Sequence, residues 1–290
     1  MRTRIRFATV VAAAALTAAP ATSAVADDGH DHGDRRGTHA LDVTALNTPN
    51  PQYKLSTTKL RAGLETIRLH NKGNEPHQVQ LLRLHDDKTF RDLSTVLANP
   101  KGDALSVADA TGGSNTILPG SEQTTYVNLR AGHYVALCFV SDADTNVPHF
   151  AEGMIAQFKV TGSRTRQRPD AEGTISAFSF GFHIPAHVDG DGVYRFRNIS
   201  DTDTHELTIM KLAPGKTAAD FLHVITSGNG DPGTIAAPAG GAGAVAPHGV
   251  DWVRLNLAPG NYVAVCFVPD PEANGAPHAA LGMVQGFIVG

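Results

Sequence analysis

Cysteine is almost absent from this 290-residue chain: there are two, Cys138 and Cys266, so at most one bridge can form. Aromatic residues amount to only 6%, while Gly (29) and Pro (17) are plentiful, which suits short strands and many turns. The net charge is −4 and no Lys/Arg stripe appears, so nothing supports nucleic acid as a partner. No stretch after the N-terminus is long and apolar enough to span a bilayer. G-x-S-x-G, H-E-x-x-H and phosphate-binding glycine loops are all missing, which removes the common hydrolase and nucleotide readings.

The N-terminus has a definite pattern. Arg2, Arg4 and Arg6 form a basic segment, Ala8 to Ala19 an apolar one, and Ala24-Val25-Ala26 a small-residue cleavage site. Residues 1–26 therefore read as a signal peptide rather than a membrane anchor, because the apolar run is short and Pro20 breaks it. The expected mature protein is secreted or periplasmic, with no membrane span. Residues 27–39, DDGHDHGDRRGTH, are polar and read as a disordered His/Asp-rich tail. Its His30, His32 and His39 offer a weak copper or zinc site, or simply a solvated tail.

The rest of the chain is written twice. Residues 129–160 (LRAGHYVALCFVSDADTNVPHFAEGMIAQFKV) match 257–289 (LAPGNYVAVCFVPDPEANGAPHAALGMVQGFIV), and PHQVQLLRL matches THELTIMKL. One domain is expected over 40–160 and a second over 174–290, joined by a charged, apolar-poor linker at 161–173. Short runs rich in Val, Ile, Leu, Tyr and Phe between Gly, Pro and Asn clusters predict strands. Segments 88–98 and 216–227 have helical spacing, with Phe90, Leu93, Val96 and Leu97 on one side of the first. GGSNTILPGSE and the Gly/Ala-rich segment near 238–249 read as loops leading into the next strand. The expected class is all-β: two tandem β-sandwiches, each with one short helix.

Both cysteines lie inside this repeat. Each ends an apolar strand, YVALC or YVAVC, at an equivalent interior position of its own domain. A disulfide needs Cα atoms within about 7 Å, which two separate cores rarely provide. An inert buried thiol or a metal-bound thiolate remains.

Four ligand-type residues recur around each cysteine: His77, Cys138, His149 and Met154, then His205, Cys266, His278 and Met283. In both sets 61 positions separate the first His from the Cys and five separate the second His from the Met; the Cys-to-His steps are 11 and 12. Strand alternation places His77 with Val79 and Leu81, and His205 with Leu207 and Ile209, on the apolar side. Two imidazoles, a thiolate and a thioether are the donors of a blue-copper electron-transfer site. The structural alternative is that Cys and Met are core filler and the histidines surface polar groups. His133, His183, His187, His223 and His248 have no repeated partner and read as surface groups.

Several segments carry a family likeness: Asn71–His77 (NKGNEPH), Tyr134–Cys138 (YVALC), Pro148-His149, Gly153-Met154 and Phe158-Lys159-Val160, and in the second copy His205, Tyr262–Cys266, Pro277-His278 and Gly282-Met283. In these the chain resembles the blue-copper cupredoxins of the plastocyanin and azurin type, over both copies. The resemblance implies eight-stranded Greek-key sandwiches, with one or two copper ions held at one pole. His77, Cys138 and His149 would be equatorial ligands and Met154 axial, and likewise His205, Cys266, His278 and Met283. The second His of each set would be nearest the surface and serve as the electron port. The Cys-to-His loop departs from the family, in which about two to four residues lie between these ligands: here there are ten (FVSDADTNVP) and eleven (FVPDPEANGAP). Such a loop either swings the His away or bulges outward and returns it.

Duplicated cupredoxin domains also occur in multicopper oxidases and copper nitrite reductases, which wire a second centre through a His adjacent to the Cys. Here Leu137 and Phe139 flank one Cys, and Val265 and Phe267 the other, so no enzyme is expected. Three functions remain: electron transfer with a redox partner protein, copper handling with a copper-exchange partner, and a metal-free binding module.

Overall fold

The computed structural model describes residues 40–99, 102–163 and 167–290. The expected signal peptide (1–26) and tail (27–39) lie outside the described residues. In the first half the strands are β1 (Ala40–Leu46), β2 (Gln52–Leu55), β3 (Lys59–Arg61), β4 (Gly63–Asn71), β5 (His77–Leu84), β6 (Ala108–Ile117), β7 (Glu122–Leu129), β8 (Gly132–Leu137) and β9 (Ile155–Thr161). Helix α1 (Phe90–Leu97) follows β5, and a single turn, α2 (His149–Glu152), precedes β9. The second half repeats the plan with β10 (Gly173–Phe178), β11 (Gly181–His183), β12 (Asp191–Asn198) and β13 (His205–Leu212), then α3 (Ala218–Ser227). It continues with β14 (Ala236–Val245), β15 (Val250–Asn256), β16 (Gly260–Val265), β17 (Pro269–Asp270), β18 (Ala276–Pro277) and β19 (Val284–Val289). Among the described residues no helix is long and apolar enough to cross a membrane.

The fold is all-β, as expected. One sheet runs β11-β10-β12-β15-β7-β4-β1-β2 and the other β19-β16-β13-β14-β6-β5-β8-β9-β3. β1 and β7 show strict alternation of buried and less buried residues, the mark of a sheet with one covered face. β5 is buried almost throughout, because its sheet is covered on both sides. Val79 and Leu81 face the sandwich interior with Leu41, Ile67 and Leu69, while Leu82 and Leu84 face α1 through Leu93. Thr89 and Thr217 start the two long helices with capping boxes to Asp92 and Asp220, so α1 and α3 fall within the expected segments.

The halves are joined edge to edge in both sheets. β7 pairs antiparallel with β15, with Thr125 opposite Val253, Tyr126 opposite Trp252 and Thr124 opposite Arg254. β6 pairs with β14, with Ser114 opposite Ala242. Thr125 and Val253 are 128 positions apart, as are Ser114 and Ala242, and as are His77 and His205. Each therefore faces its own counterpart, so an approximate two-fold axis passes between the halves.

This junction corrects one expectation. The segments read as loops at 112–122 and near 238–249 contribute to β6 and β14, the central strands of the nine-stranded sheet. Their Gly/Ala composition concealed them, since a strand built of small residues shows no apolar alternation. The small residues let two backbones and two polar side chains meet. Gly113 N donates to Asp251 Oδ2 (2.8 Å), and Gly241 N donates to Gln123 Oε1 (3.0 Å). Gln80 adds a reciprocal pair with Ala244, accepting from its N–H at 2.6 Å and donating to its carbonyl at 2.9 Å. Asn115 Nδ2 donates to Glu206 Oε2 across the same seam (3.2 Å).

Gly241 has φ +123°, and a Cβ there would lie 1.9 Å from the Leu207 carbonyl oxygen. Gly241→Ala should cost more than about 2 kcal/mol in urea unfolding. Gly120, with φ +77° and open space around it, should cost about 1 kcal/mol on the same change.

Glu65 is a buried carboxyl on β4 whose Oε2 has no hydrogen-bond partner. Burial raises it to about 7 from an ordinary 4.5. The folded protein then keeps a proton that the unfolded chain loses as pH rises through 4.5, so stability falls between pH 4.5 and 7. Glu65→Gln should be nearly neutral at pH 4 and stabilising by about 2 kcal/mol at pH 8, measured by urea unfolding at both pH values.

Candidate metal centres

His77 opens β5 and Cys138 directly follows β8, its antiparallel neighbour. The start of one strand and the end of the other share an edge, so residues 61 positions apart become neighbours. β13 and β16 place His205 and Cys266 in the same way.

The long Cys-to-His loop returns its histidine. In the first half it folds as a hairpin, bridged between Ser141 and Pro148. Asp142 Oδ1 accepts from Asp144 N (2.9 Å) and Thr145 N (2.6 Å), and Asn146 turns the chain at φ 58°. His149 N then donates to Val140 O at 2.8 Å. In the second half β17 and β18 form the hairpin, Asp270 caps it, Asn274 turns it at φ 58°, and His278 N donates to Val268 O at 3.0 Å. The extra residues bulge outward without disturbing the pole.

A backbone interlock then fixes the donor-bearing residues. Phe150 N donates to Cys138 O (3.0 Å), Met154 N to His149 O (2.8 Å) and Cys138 N to Met154 O (3.2 Å). Ala279 N to Cys266 O (2.7 Å), Met283 N to His278 O (2.9 Å) and Cys266 N to Met283 O (3.3 Å) repeat it. Met154 and Met283 are fully buried in the same cores as their cysteines.

The side-chain donors converge. In each half, one atom from each His and the Cys lie within 4.8 Å of one another. Nδ1 of His77 and Nδ1 of His149 are 3.1 Å apart, and Cys138 Sγ is 3.6 Å from His149 Nδ1. Nδ1 of His205 and Nδ1 of His278 are also 3.1 Å apart, with Cys266 Sγ 3.8 Å and 3.5 Å from them. Donors about 2.0–2.3 Å from a shared ion have mutual separations of about 3.3–3.7 Å, so this geometry suits one transition-metal ion per half. Both cysteines are free thiols.

Electrostatics point the same way. Burial pushes the Cys138 thiol up to about 12, and raises Cys266 as well. Burial lowers His77 to about 3, aided by His149, and His205 to about 4, aided by His278. His149 and His278 are lowered by burial too. The imidazoles are therefore neutral, as ligands must be. A metal would have to displace only the thiol proton.

The centres differ outside the donors. Asn47 Oδ1 accepts from Asn74 N (2.9 Å), which fixes the amide's orientation, and sits 2.9 Å from His77 Nε2. An acceptor there puts the proton on Nε2 and leaves Nδ1 free to bind. Asn47 Nδ2 also donates to Glu75 Oε2 at 2.5 Å, and Glu75 Oε2 lies 3.4 Å from His149 Nε2, a polar contact without hydrogen-bond alignment. Gly73 makes room for this, since a Cβ there would lie 2.0 Å from Asn47 Oδ1. In the second half His205 Nε2 is buried without a partner, and the Phe180 ring packs T-shaped against His278 with centroids 5.2 Å apart. The resemblance made the second His the surface-nearest ligand. Here His149 is 0% and His278 3% exposed, because Glu75 and Phe180 lie beside them. Sequence reading gave Asn47 and Glu75 no role. Glu75, two positions before His77, was a visible signal, whereas Asn47 is brought in only by the fold. His133, His183, His187, His223 and His248 are exposed and belong to neither donor group.

Each half is thus a β-sandwich with a buried His-Cys-His group at one pole. No protein-family model matches the sequence, and no curated protein does. Among solved structures, a dithionite-reduced auracyanin from the photosynthetic bacterium Roseiflexus castenholzii is 17% identical with a TM-score of 0.28, covering 43% of this chain and 100% of that one. A multicopper oxidase is 16% identical with a TM-score of 0.26, over 87% of this chain and 88% of its own. A copper-containing nitrite reductase from Thermus scotoductus is 12% identical with a TM-score of 0.23, over 87% of this chain and 61% of its own. These likenesses are weak, and the two centres stand on their own geometry.

Asn47→Ala should weaken metal binding at the first centre by about 10–100-fold and leave the second unchanged. Competitive chelator titration of single-centre proteins, carrying Cys266→Ser or Cys138→Ser, would measure both.

Proposed function

We propose that this is an exported copper protein that transfers electrons through type 1 centres formed by His77, Cys138, His149 and Met154, and by His205, Cys266, His278 and Met283. The observation that carries the reading is the buried convergence, in both halves, of two Nδ1 atoms and one Sγ on rigid strand ends and an interlocked turn. Copper in such a site would supply a one-electron Cu(II)/Cu(I) couple. Soft thiolate and thioether suit the reduced ion, imidazole and thiolate the oxidised one, so a fixed donor set serves both. The protein holds the donors, keeps the imidazoles neutral and excludes water. Burial is compatible with this work, since an electron needs no channel for substrate.

Leu137, Phe139, Val265 and Phe267 beside the cysteines support a carrier rather than an oxidase, because none can ligate a second centre. Export rests on the pattern of residues 1–26. A redox partner protein is the expected counterpart.

Copper loading should give up to two ions per chain, a strong absorption in the red and a reversible one-electron wave. The colour should vanish in the Cys138→Ser, Cys266→Ser double variant. Tight Cu(I) binding without a reversible wave would favour copper handling instead, and a protein that takes up no metal would leave only a binding module.

A further inference from the structure

Both halves carry cations on the outer face of the eight-stranded sheet, but only the first supplies anions beside them. Ile67 and Leu69 on β4 face the core, as do Tyr194 and Phe196 on β12. Alternation therefore turns Arg68 and His70, and Arg195 and Arg197, outward. Asn71 and Asn198 hold equivalent places at the ends of these strands. Asn71 Nδ2 donates to Glu75 O (2.8 Å) and Ile117 O (3.1 Å), and Asn198 Nδ2 to Asp203 O (2.6 Å) and Val245 O (3.1 Å). Counting back from each Asn equates Arg68 with Arg195 and His70 with Arg197. The neighbouring strands agree. Arg68 lies opposite Asp42 on β1, and Arg195 opposite Thr174 on β10. His70 lies opposite Glu122 on β7, and Arg197 opposite Val250 on β15.

In the first half each of these side chains has a carboxylate. Arg68 Nη1 is 3.5 Å from Asp42 Oδ1, and His70 Nε2 is 3.4 Å from the same oxygen. His70 Nδ1 is 2.8 Å from Glu122 Oε1. In the second half threonine and valine stand where both carboxylates were, beside two arginines that are always charged. Among the described residues the arginine ion pairs are those of Arg68, Arg83 and Arg254, so Arg195 and Arg197 have none. The side chain of Glu172 lies against Gly192 instead. Nε of Arg195 is buried and has no hydrogen-bond partner. The linker adds a third guanidinium. Asn128 on β7 donates from Nδ2 to Gln167 O (3.0 Å), which draws Arg168 toward this face. Burial lowers the Arg195 pKa, and the charges of Arg197 and Arg168 lower it further. Like charges gathered without a counter-ion are costly, and a buried donor left unpaired marks the place of a missing acceptor.

We propose that Arg195 and Arg197, with Arg168 and the Thr174 hydroxyl, form a binding site for an oxyanion of the phosphate type, which takes the place that Asp42 and Glu122 fill in the first half. Planar guanidinium groups match such an anion with paired, charge-assisted hydrogen bonds. A dianion also carries the charge of two carboxylates. The ligand joins β12 of the second half to the linker, which Asn128 ties to the first half. It therefore holds the linker across the union of β7 and β15. The strands that carry the metal donors, β5, β8, β13 and β16, belong to the other sheet, so this site stands apart from the copper reading.

Calorimetric titration of the full chain with inorganic phosphate, at low ionic strength, should show one saturable site per chain. Phosphate should also raise the urea midpoint by mass action. Arg195→Gln and Arg197→Gln should each weaken binding about tenfold. Thr174→Asp together with Val250→Glu rebuilds the carboxylates of the first half and should abolish binding. Arg68→Gln, in the first half, should leave the affinity for phosphate unchanged. Absence of a saturable site overturns the proposal. So does equal stabilisation by phosphate and by chloride at matched ionic strength, which is general screening. Unchanged affinity in a folded Arg195→Gln protein overturns it as well. Should that variant fail to fold, unchanged affinity in Arg197→Gln, whose side chain is exposed, overturns it equally.

Discussion

Antiparallel strand pairing makes a metal centre from residues far apart in the chain. With Gln80 opposite Leu137, the residues before one and after the other must share an edge, and these include His77 and Cys138. Thr208 opposite Val265 has the same effect for His205 and Cys266. A register slip of one residue would turn every side chain of the strand to the other face, carrying the imidazole out of the core along with Val79 and Leu81. The hydrophobic pattern of β5 and β13 thus protects the ligand positions as a by-product of protecting the core. The second His and the Met need no long-range pairing, because the turn that carries them is tied by backbone hydrogen bonds to the cysteine.

The repeated quartets were legible in the sequence through their equal spacing, and strand alternation put His77 and His205 on the apolar side, from which the donors could meet at one pole. It left the return of His149 and His278 open, because loop length alone does not determine path. The decisive residues were small local devices, Asp142 and Asp270 capping the hairpins and Asn146 and Asn274 adopting positive φ. The union of the halves was hidden more deeply. It depends on Gly-Gly pairs at 112–113 and 240–241 that look like loop when read along the chain. Asn47 was invisible for another reason: only tertiary packing sets it beside His77.

The seam between the halves is polar as well as paired. Gln80, Gln123, Asn115, Glu206 and Asp251 are all buried there and all hydrogen-bonded. Buried polar groups left unpaired are costly, so this set fixes one way of docking rather than adding bulk cohesion. Glu206 also accepts from Phe267 N at 2.9 Å, beside Cys266. The seam therefore reaches the surroundings of the second centre through one carboxylate.

The linker gives that seam a further property. Two separate sandwiches meeting across β7 and β15 would form a dimer that dissociates on dilution. Tethering the halves in one chain makes the association intramolecular. The pairing then survives at any dilution the protein meets. It also ends a constraint that binds every homodimer, in which one codon change appears in both subunits. Here each half has its own copy of the text, so Asn47 can stand beside His77 in one while Phe180 stands beside His278 in the other.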